Sequence, residues 1–138
     1  DVKYSPTPHF DLDEEYELQQ TILKLIKAGA VNSCHDISEG GLFINLLESA
    51  MASGLGLDFC IDSKIRVDSY LFGESQSRAV ISISPEKLEE VKTLIEDFPH
   101  MHIGEVRSSG IHINGDLFGD LNDFATPYNT SIENTLEN

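Results

Sequence analysis

Residues 30–51 read AVNSCHDISEGGLFINLLESAM, and this stretch decides the fold. Residues 30–36 are short and mixed in polarity, as in a strand running to its end. Residues 37–41, ISEGG, form a turn. Beyond it Leu42, Phe43, Leu46, Leu47, Ala50 and Met51 fall on one helical face. Ser53 and Gly54 close that helix. A strand, a glycine turn and a helix in this order are a unit of layered α/β architecture.

The flanks extend the pattern. Upstream, Leu18, Ile22, Leu25 and Ile26 form a helical stripe over residues 13–28. Asp11 or Asp13 supplies a cap, and Gly29 ends the helix. Residues 1–10 carry two prolines and read as an extended lead-in. Downstream, Leu55, Leu57, Phe59 and Ile61 alternate with Gly56, Asp58 and Cys60, which predicts a half-buried strand. Residues 68–73 hold a helical turn, and residues 78–84 a strand. Pro85 opens a helix whose stripe is Leu88, Val91, Leu94, Ile95 and Phe98, with Pro99 at its end. Residues 102–106 and 110–113 read as two strands joined by a Ser-Ser-Gly turn. The tail from Leu121 is helical, with Thr126 capping a fresh helix at Pro127. The expected fold class is α/β (α+β), a mixed sheet layered with helices, in a single domain over residues 1–138.

Composition narrows the function. The 138 residues carry 24 acidic and 9 basic side chains, a formal net charge of −15. Nucleic-acid and anionic-membrane surfaces call for clustered Lys and Arg, so neither is an expected partner. No apolar run reaches the ~18 residues of a membrane span, and no secretory leader opens the chain. Two cysteines are too few for a disulfide scaffold. The expectation is a cytoplasmic domain, one that opens on Asp1 and is cut from something longer.

Two loops could carry chemistry. The first joins strand to helix through Asp36, Ser38, Gly40 and Gly41. Free N–H groups and the helix dipole attract an anion there, and paired glycines let a phosphate approach the backbone. Asp36 could hold a magnesium ion bridging such phosphates. The alternative is a capped helix, with Ser38 satisfying the N–H groups. There is no Gly-Lys-Ser/Thr of a Walker loop. The second loop, Leu71-Phe72-Gly73-Glu74-Ser75-Gln76-Ser77-Arg78, offers donors and acceptors to a polar ligand. The alternative is a solvated turn with Arg78 paired to Glu74. His100, His102 and His112 lie in or near strands without the spacing of a zinc site. Cys34 and Cys60 read as buried, inert thiols. Glu48 reads as solvated, or as reaching the ligand end of its helix.

Taken together and in this order, the two loops resemble the phosphoribosylformylglycinamidine synthase (FGAM synthase) family. The residues that carry the resemblance are His35-Asp36-Ile37-Ser38-Glu39-Gly40-Gly41-Leu42, Glu48 in the helix that follows, and Leu71 to Arg78 before a strand. Pro8-His9-Phe10-Asp11-Leu12 and Ile103-Gly104-Glu105-Val106 fit as well. The match is to a C-terminal domain of the synthetase, in the superfamily of aminoimidazole ribonucleotide synthase.

The resemblance implies an ATP-dependent carbon–nitrogen ligase of de novo purine synthesis. An amide oxygen of formylglycinamide ribonucleotide is phosphorylated, and glutamine-derived ammonia displaces the phosphate. It implies ATP/ADP and Mg²⁺ as cofactors. Its implied partners are the N-terminal ATP-binding domains of the same synthetase and a glutaminase subunit or domain. It points to Asp36 as a magnesium ligand and to Ser38, Gly40 and Gly41 as phosphate contacts. Glu74, Ser75, Gln76 and Arg78 match its second motif, as a ligand or interface loop. It implies no catalytic residue in this chain, which is expected to be inactive alone. The alternatives are another ATP-dependent member of the superfamily, such as the hydrogenase maturation factor, and a non-catalytic scaffold or interface module.

Overall fold

The structure is a computed structural model that describes residues 9–61 and 64–137. Residues 1–8 of the expected lead-in lie outside it. The element order is α1 (Leu12–Lys27), β1 (Ser33–Asp36), α2 (Gly41–Ser53), β2 (Gly56–Phe59), α3 (Val67–Phe72) and β3 (Ala79–Ser82). A 3₁₀ turn (Pro85–Lys87) then leads into α4 (Leu88–Leu94), followed by β4 (Gly104–Arg107), β5 (Ile111–Ile113), β6 (Asp116–Gly119) and α5 (Leu121–Leu136). Helices and a mixed sheet make up the chain, as the sequence predicts. Contacts gather the chain into two compact units, residues 1–45 with 71–101, and residues 46–70 with 102–138.

In the first unit, α1 starts where Asp11 accepts from the N–H groups of Asp13 and Glu14, at 2.9 and 3.2 Å. Acidic residues fill its first turn and lysines its last, which complements the helix dipole. It ends as the glycine predicts. Gly29 is left-handed at φ +62°. Ala30 N–H reaches the Leu25 carbonyl and Gly29 N–H the Ile26 carbonyl, the paired closure that a left-handed glycine permits. Leu25, Ala30, Val91 and Ile95 are buried together, with Val31, Ile81, Ile83, Leu94 and Phe98 packed around them. Strands β1 and β3 pair antiparallel, Asp36 opposite Ala79 and Cys34 opposite Ile81.

The second unit is built on a four-stranded sheet in the order β4-β2-β5-β6. Here the two strands around the Ser-Ser-Gly turn do not pair with each other. Strand β2 lies between them, antiparallel to β4 and parallel to β5. The 108–110 connection crosses the start of β2. A side chain at Gly56 would run into the backbone of Ser109 and Gly110, so only glycine fits beneath it.

Strand β6 was not expected. Asn114-Gly115, with φ +55° and +85°, turns β5 into β6 as an Asn-Gly hairpin does. The fresh helix at Pro127 is also corrected. One helix runs from Leu121 through Pro127 to Leu136. It nucleates upstream, where the Asp120 N–H donates to the Asp123 carboxylate at 2.8 Å and the Asp123 N–H to the Asp120 carbonyl at 3.0 Å. Both cysteines are exposed rather than buried. Cys34 sits on a strand whose side chains stay largely open to solvent, and Cys60 lies one residue past the end of β2.

Candidate functional site

The β1–α2 loop and the α3–β3 loop meet within the first unit. Strand pairing sets Asp36 beside Ala79, and the Ile37 N–H donates to the Arg78 carbonyl at 2.9 Å. The next contact is between side chain and backbone. The Glu74 carboxylate accepts the Gly40 N–H at 2.8 Å. A carboxylate therefore sits at the start of α2, where the dipole and the open N–H groups favour negative charge. Ser38 does not cap the helix with its hydroxyl. Its carbonyl instead accepts from the Gly41 N–H at 3.2 Å.

Both glycines of the turn are left-handed, Gly40 at φ +79° and Gly41 at φ +69°. Gly41 is buried, and a Cβ there would lie 2.7–2.8 Å from backbone atoms of Leu71 and Phe72. The end of α3 thus presses directly on the first turn of α2. Phe43 and Phe72 meet edge to face beside this contact, centroids 5.7 Å apart.

Arg78 does not pair with Glu74. Its guanidinium donates to the carbonyls of Gly73, at 2.5 Å, and Ser75, at 3.2 Å. It therefore ties the loop onto its own base. Ser77, left-handed at φ +60°, donates its hydroxyl to Glu15 of α1 at 2.9 Å. The side chains of Ser75 and Gln76 are exposed, as are those of Asp36 and Ser38.

Asn45 is the residue the sequence reading missed. It is only 1% exposed, one turn into α2. Its amide nitrogen lies 2.6 Å from the Asp36 carbonyl and also contacts His35 Nδ1. An asparagine inside the apolar stripe Leu42-Phe43-Leu46-Leu47 was the available signal, because a buried amide needs partners. Cys34 lies on the same side of β1 as Asp36. Partial burial first, and then the Asp36 charge, hold its thiol above its ordinary pKa.

Other expected positions fall elsewhere. In the second unit Glu48 accepts from the Tyr128 hydroxyl, so its carboxylate is engaged. His100 and His102 contact the Phe98 and Gly104 carbonyls. Among the described residues no three His, Cys, Asp or Glu side chains form a metal-sized cluster, and no helix is long and apolar enough to cross a membrane.

Residues 6–114 match the C-terminal domain of the AIR synthase related proteins, and the chain belongs to that family. At the level of individual proteins it is similar to phosphoribosylformylglycinamidine synthase subunit PurL. It is 44% identical to PurL of Caldanaerobacter subterraneus subsp. tengcongensis over 124 residues, covering 87% of this chain and 17% of that protein. PurL of Thermoanaerobacter sp. strain X514 is 43% identical over the same length and shares of each chain. The chain thus spans about a sixth of the length of the curated relatives it matches. Thermotoga maritima PurL complexed with FGAR shares the fold at TM-score 0.66 and 22% identity, over 80% of this chain and 20% of that one. T. maritima PurL complexed with ATP does so at 0.62 and 21%, over 75% and 20%. E. coli HypE, a hydrogenase maturation protein, does so at 0.60 and 20%, over 75% and 38%.

Proposed function

We propose that this chain is a C-terminal domain of the synthetase subunit of FGAM synthase, and that it contributes Asp36 to a magnesium–nucleotide site completed by other domains. Similarity above 40% to PurL over 87% of the chain supports the assignment. The HypE likeness is one of fold, and no residue observation favours that reading. The subunit's reaction joins ammonia, supplied from glutamine by a glutaminase partner, to formylglycinamide ribonucleotide at the expense of ATP. It takes place in the cytoplasm. Alone, this domain is inactive, because the ATP-binding domains are needed to form the active site.

One observation carries the site: the Asp36 side chain is exposed at the end of β1 while the backbone around it is hydrogen-bonded. Magnesium takes one or two protein carboxylates and draws its other ligands from phosphate and water, so a single open aspartate fits as a contributed ligand. Bound there, the ion would neutralise nucleotide phosphate charge. The phosphate role of Ser38, Gly40 and Gly41 has narrower support. The Gly40 N–H already has the Glu74 carboxylate, so a phosphate at the turn must displace Glu74, while the Ser38 hydroxyl stays open. In the second loop Ser75 and Gln76 face outward as the ligand or interface groups. Glu74 and Arg78 give the loop its shape.

The test uses a complete synthetase subunit carrying this sequence as its corresponding segment. With formylglycinamide ribonucleotide, ATP, Mg²⁺ and ammonia it yields the amidine product; no product overturns the assignment. In the same subunit Asp36→Asn lowers bound nucleotide and shifts the Mg²⁺ dependence. If both stay unchanged, Asp36 is not a ligand.

A further inference from the structure

Strand β5 ends where a side chain completes a backbone ladder. Strands β2 and β5 are parallel, and the bonds of a parallel ladder are evenly spaced. The Leu57 N–H donates to the Gly110 carbonyl and the Asn114 N–H to the Phe59 carbonyl, both at 2.9 Å. The next rung would join the Ile61 N–H to the Asn114 carbonyl. By then the backbone has turned away, with Asn114 left-handed at φ +55° and Gly115 at φ +85°. The Ile61 N–H donates instead to Asn114 Oδ1, at 2.8 Å. The asparagine side chain stands in for its own carbonyl, as short polar side chains can. Asn114 is thus held both at its N–H and at its side-chain oxygen.

The residue that follows gives this grip a chemical consequence. A Cβ at Gly115 would meet nothing within 4 Å, so no side chain shields its peptide nitrogen, and both residues are exposed to water. An asparagine before such a nitrogen can cyclise. Gly115 N attacks Asn114 Cγ, the Cγ–Nδ2 bond breaks, and ammonia leaves with the proton of the Gly115 N–H. Water then opens the succinimide at either carbonyl, to aspartate or to isoaspartate. We propose that Asn114-Gly115 is a site of spontaneous modification guarded by the Ile61 rung. Ring closure must carry Cγ onto Gly115 N, and Oδ1 cannot follow while the Ile61 N–H holds it. The folded chain therefore reacts only when the rung opens. The two products differ in effect. Aspartate at 114 keeps an acceptor for the Ile61 N–H. Isoaspartate runs the main chain through Cβ and Cγ, which lengthens the turn between the paired Ile113 and Asp116. The hairpin cannot close in that register, and the end of β5 is released from β2.

The experiment ages the full chain in mildly alkaline buffer, once folded and once in urea, and maps the converted asparagines by mass spectrometry. In urea Asn114 should convert first, because no other asparagine in the chain precedes a glycine. Two hydrogen bonds must break before the folded chain reacts, so it should convert there at least about tenfold more slowly. Equal rates in the folded and unfolded chain overturn the guard, and faster conversion of another asparagine in urea overturns the site. Neither measurement needs a variant to fold. Amide exchange at Ile61 then reads the consequence. Asn114→Asp should keep that N–H protected. Chain isolated with isoaspartate at 114 should exchange it at least about tenfold faster, as loss of a local closing contact does. Retained protection in the isoaspartyl chain refutes the release of β5, and lost protection in Asn114→Asp refutes the distinction between the products.

Discussion

Gly41→Ala tests whether the meeting of the two loops is a packing constraint. Two costs add at this position. A left-handed backbone costs an L-residue about 1–2 kcal/mol, and Gly41 has φ +69°. The new methyl would also lie 2.7–2.8 Å from backbone atoms of Leu71 and Phe72, which cannot swing aside as a side chain does. Overpacking of that kind costs about 1–3 kcal/mol. The sum is about 2–5 kcal/mol, a large share of a typical ~5–15 kcal/mol stability. Gly29→Ala is the matched control. Its φ is +62°, and nothing lies within 4 Å of its added Cβ. It carries the conformational cost without the collision, and the unfolded-state effect of alanine cancels between the two. The difference between the variants is therefore about 1–3 kcal/mol. At this chain length that is a gap of roughly 3–10 °C in Tm. Urea unfolding of both variants, with the slope checked for constancy, measures it. If Gly41→Ala costs no more than Gly29→Ala, the close approach of α3 to α2 is wrong.

Two further outcomes follow from the same contacts. Glu74→Ala removes the acceptor of the Gly40 N–H and should cost about 1 kcal/mol, as loss of a helix cap does; Glu74→Gln keeps an acceptor and should cost less. Amide exchange at Gly40 should quicken in the alanine variant, and unchanged exchange would refute the contact. Cys34 tests the field at Asp36. Folding raises the thiol pKa, chiefly through burial and then through Asp36, so the folded state holds that proton more tightly. Its contribution to stability is present below the ordinary thiol range and is lost as pH rises through it. In Asp36→Asn the midpoint of Cys34 alkylation against pH, read by mass spectrometry, should move down but stay above that of an ordinary thiol; no movement would show that the charge does not reach the sulfur.

What could be read from the sequence was local. Asp11 and Gly29 bracket α1 because caps act within a few residues. The apolar spacing of Leu42, Phe43, Leu46, Leu47 and Ala50 specifies the face of α2 that is buried. Pairing between distant segments was not readable. The Ser-Ser-Gly turn looks like a hairpin, yet β2, some 50 residues earlier, intervenes between its arms. Only Gly56 hints at that, and its reason appears once a second backbone is seen to cross it. Strand β6 had a local signal in Asn114-Gly115 that outweighs the polarity of the residues around it. Pro127 misled for the opposite reason. A proline removes one backbone donor, but a helix already nucleated by Asp120 and Asp123 can absorb that loss.

The candidate site follows the same division. The motif residues Asp36, Gly40, Gly41, Glu74 and Arg78 stand out in the sequence, but their uses differ. Glu74 is spent on the Gly40 N–H, Arg78 on the Gly73 and Ser75 carbonyls, and Ser77 on Glu15. Gly41 is spent on the backbone of α3. These are the residues whose chemistry looked most like ligand binding, and each is accounted for by contacts within the protein. A motif of this kind specifies the shape of two loops. What that shape presents outward is a smaller set, Asp36 and Ser38 on one loop and Ser75 and Gln76 on the other. Asn45 belongs to neither motif, yet its buried amide nitrogen lies 2.6 Å from the Asp36 carbonyl, so part of what holds the backbone beneath the Asp36 side chain is a residue the motifs do not include.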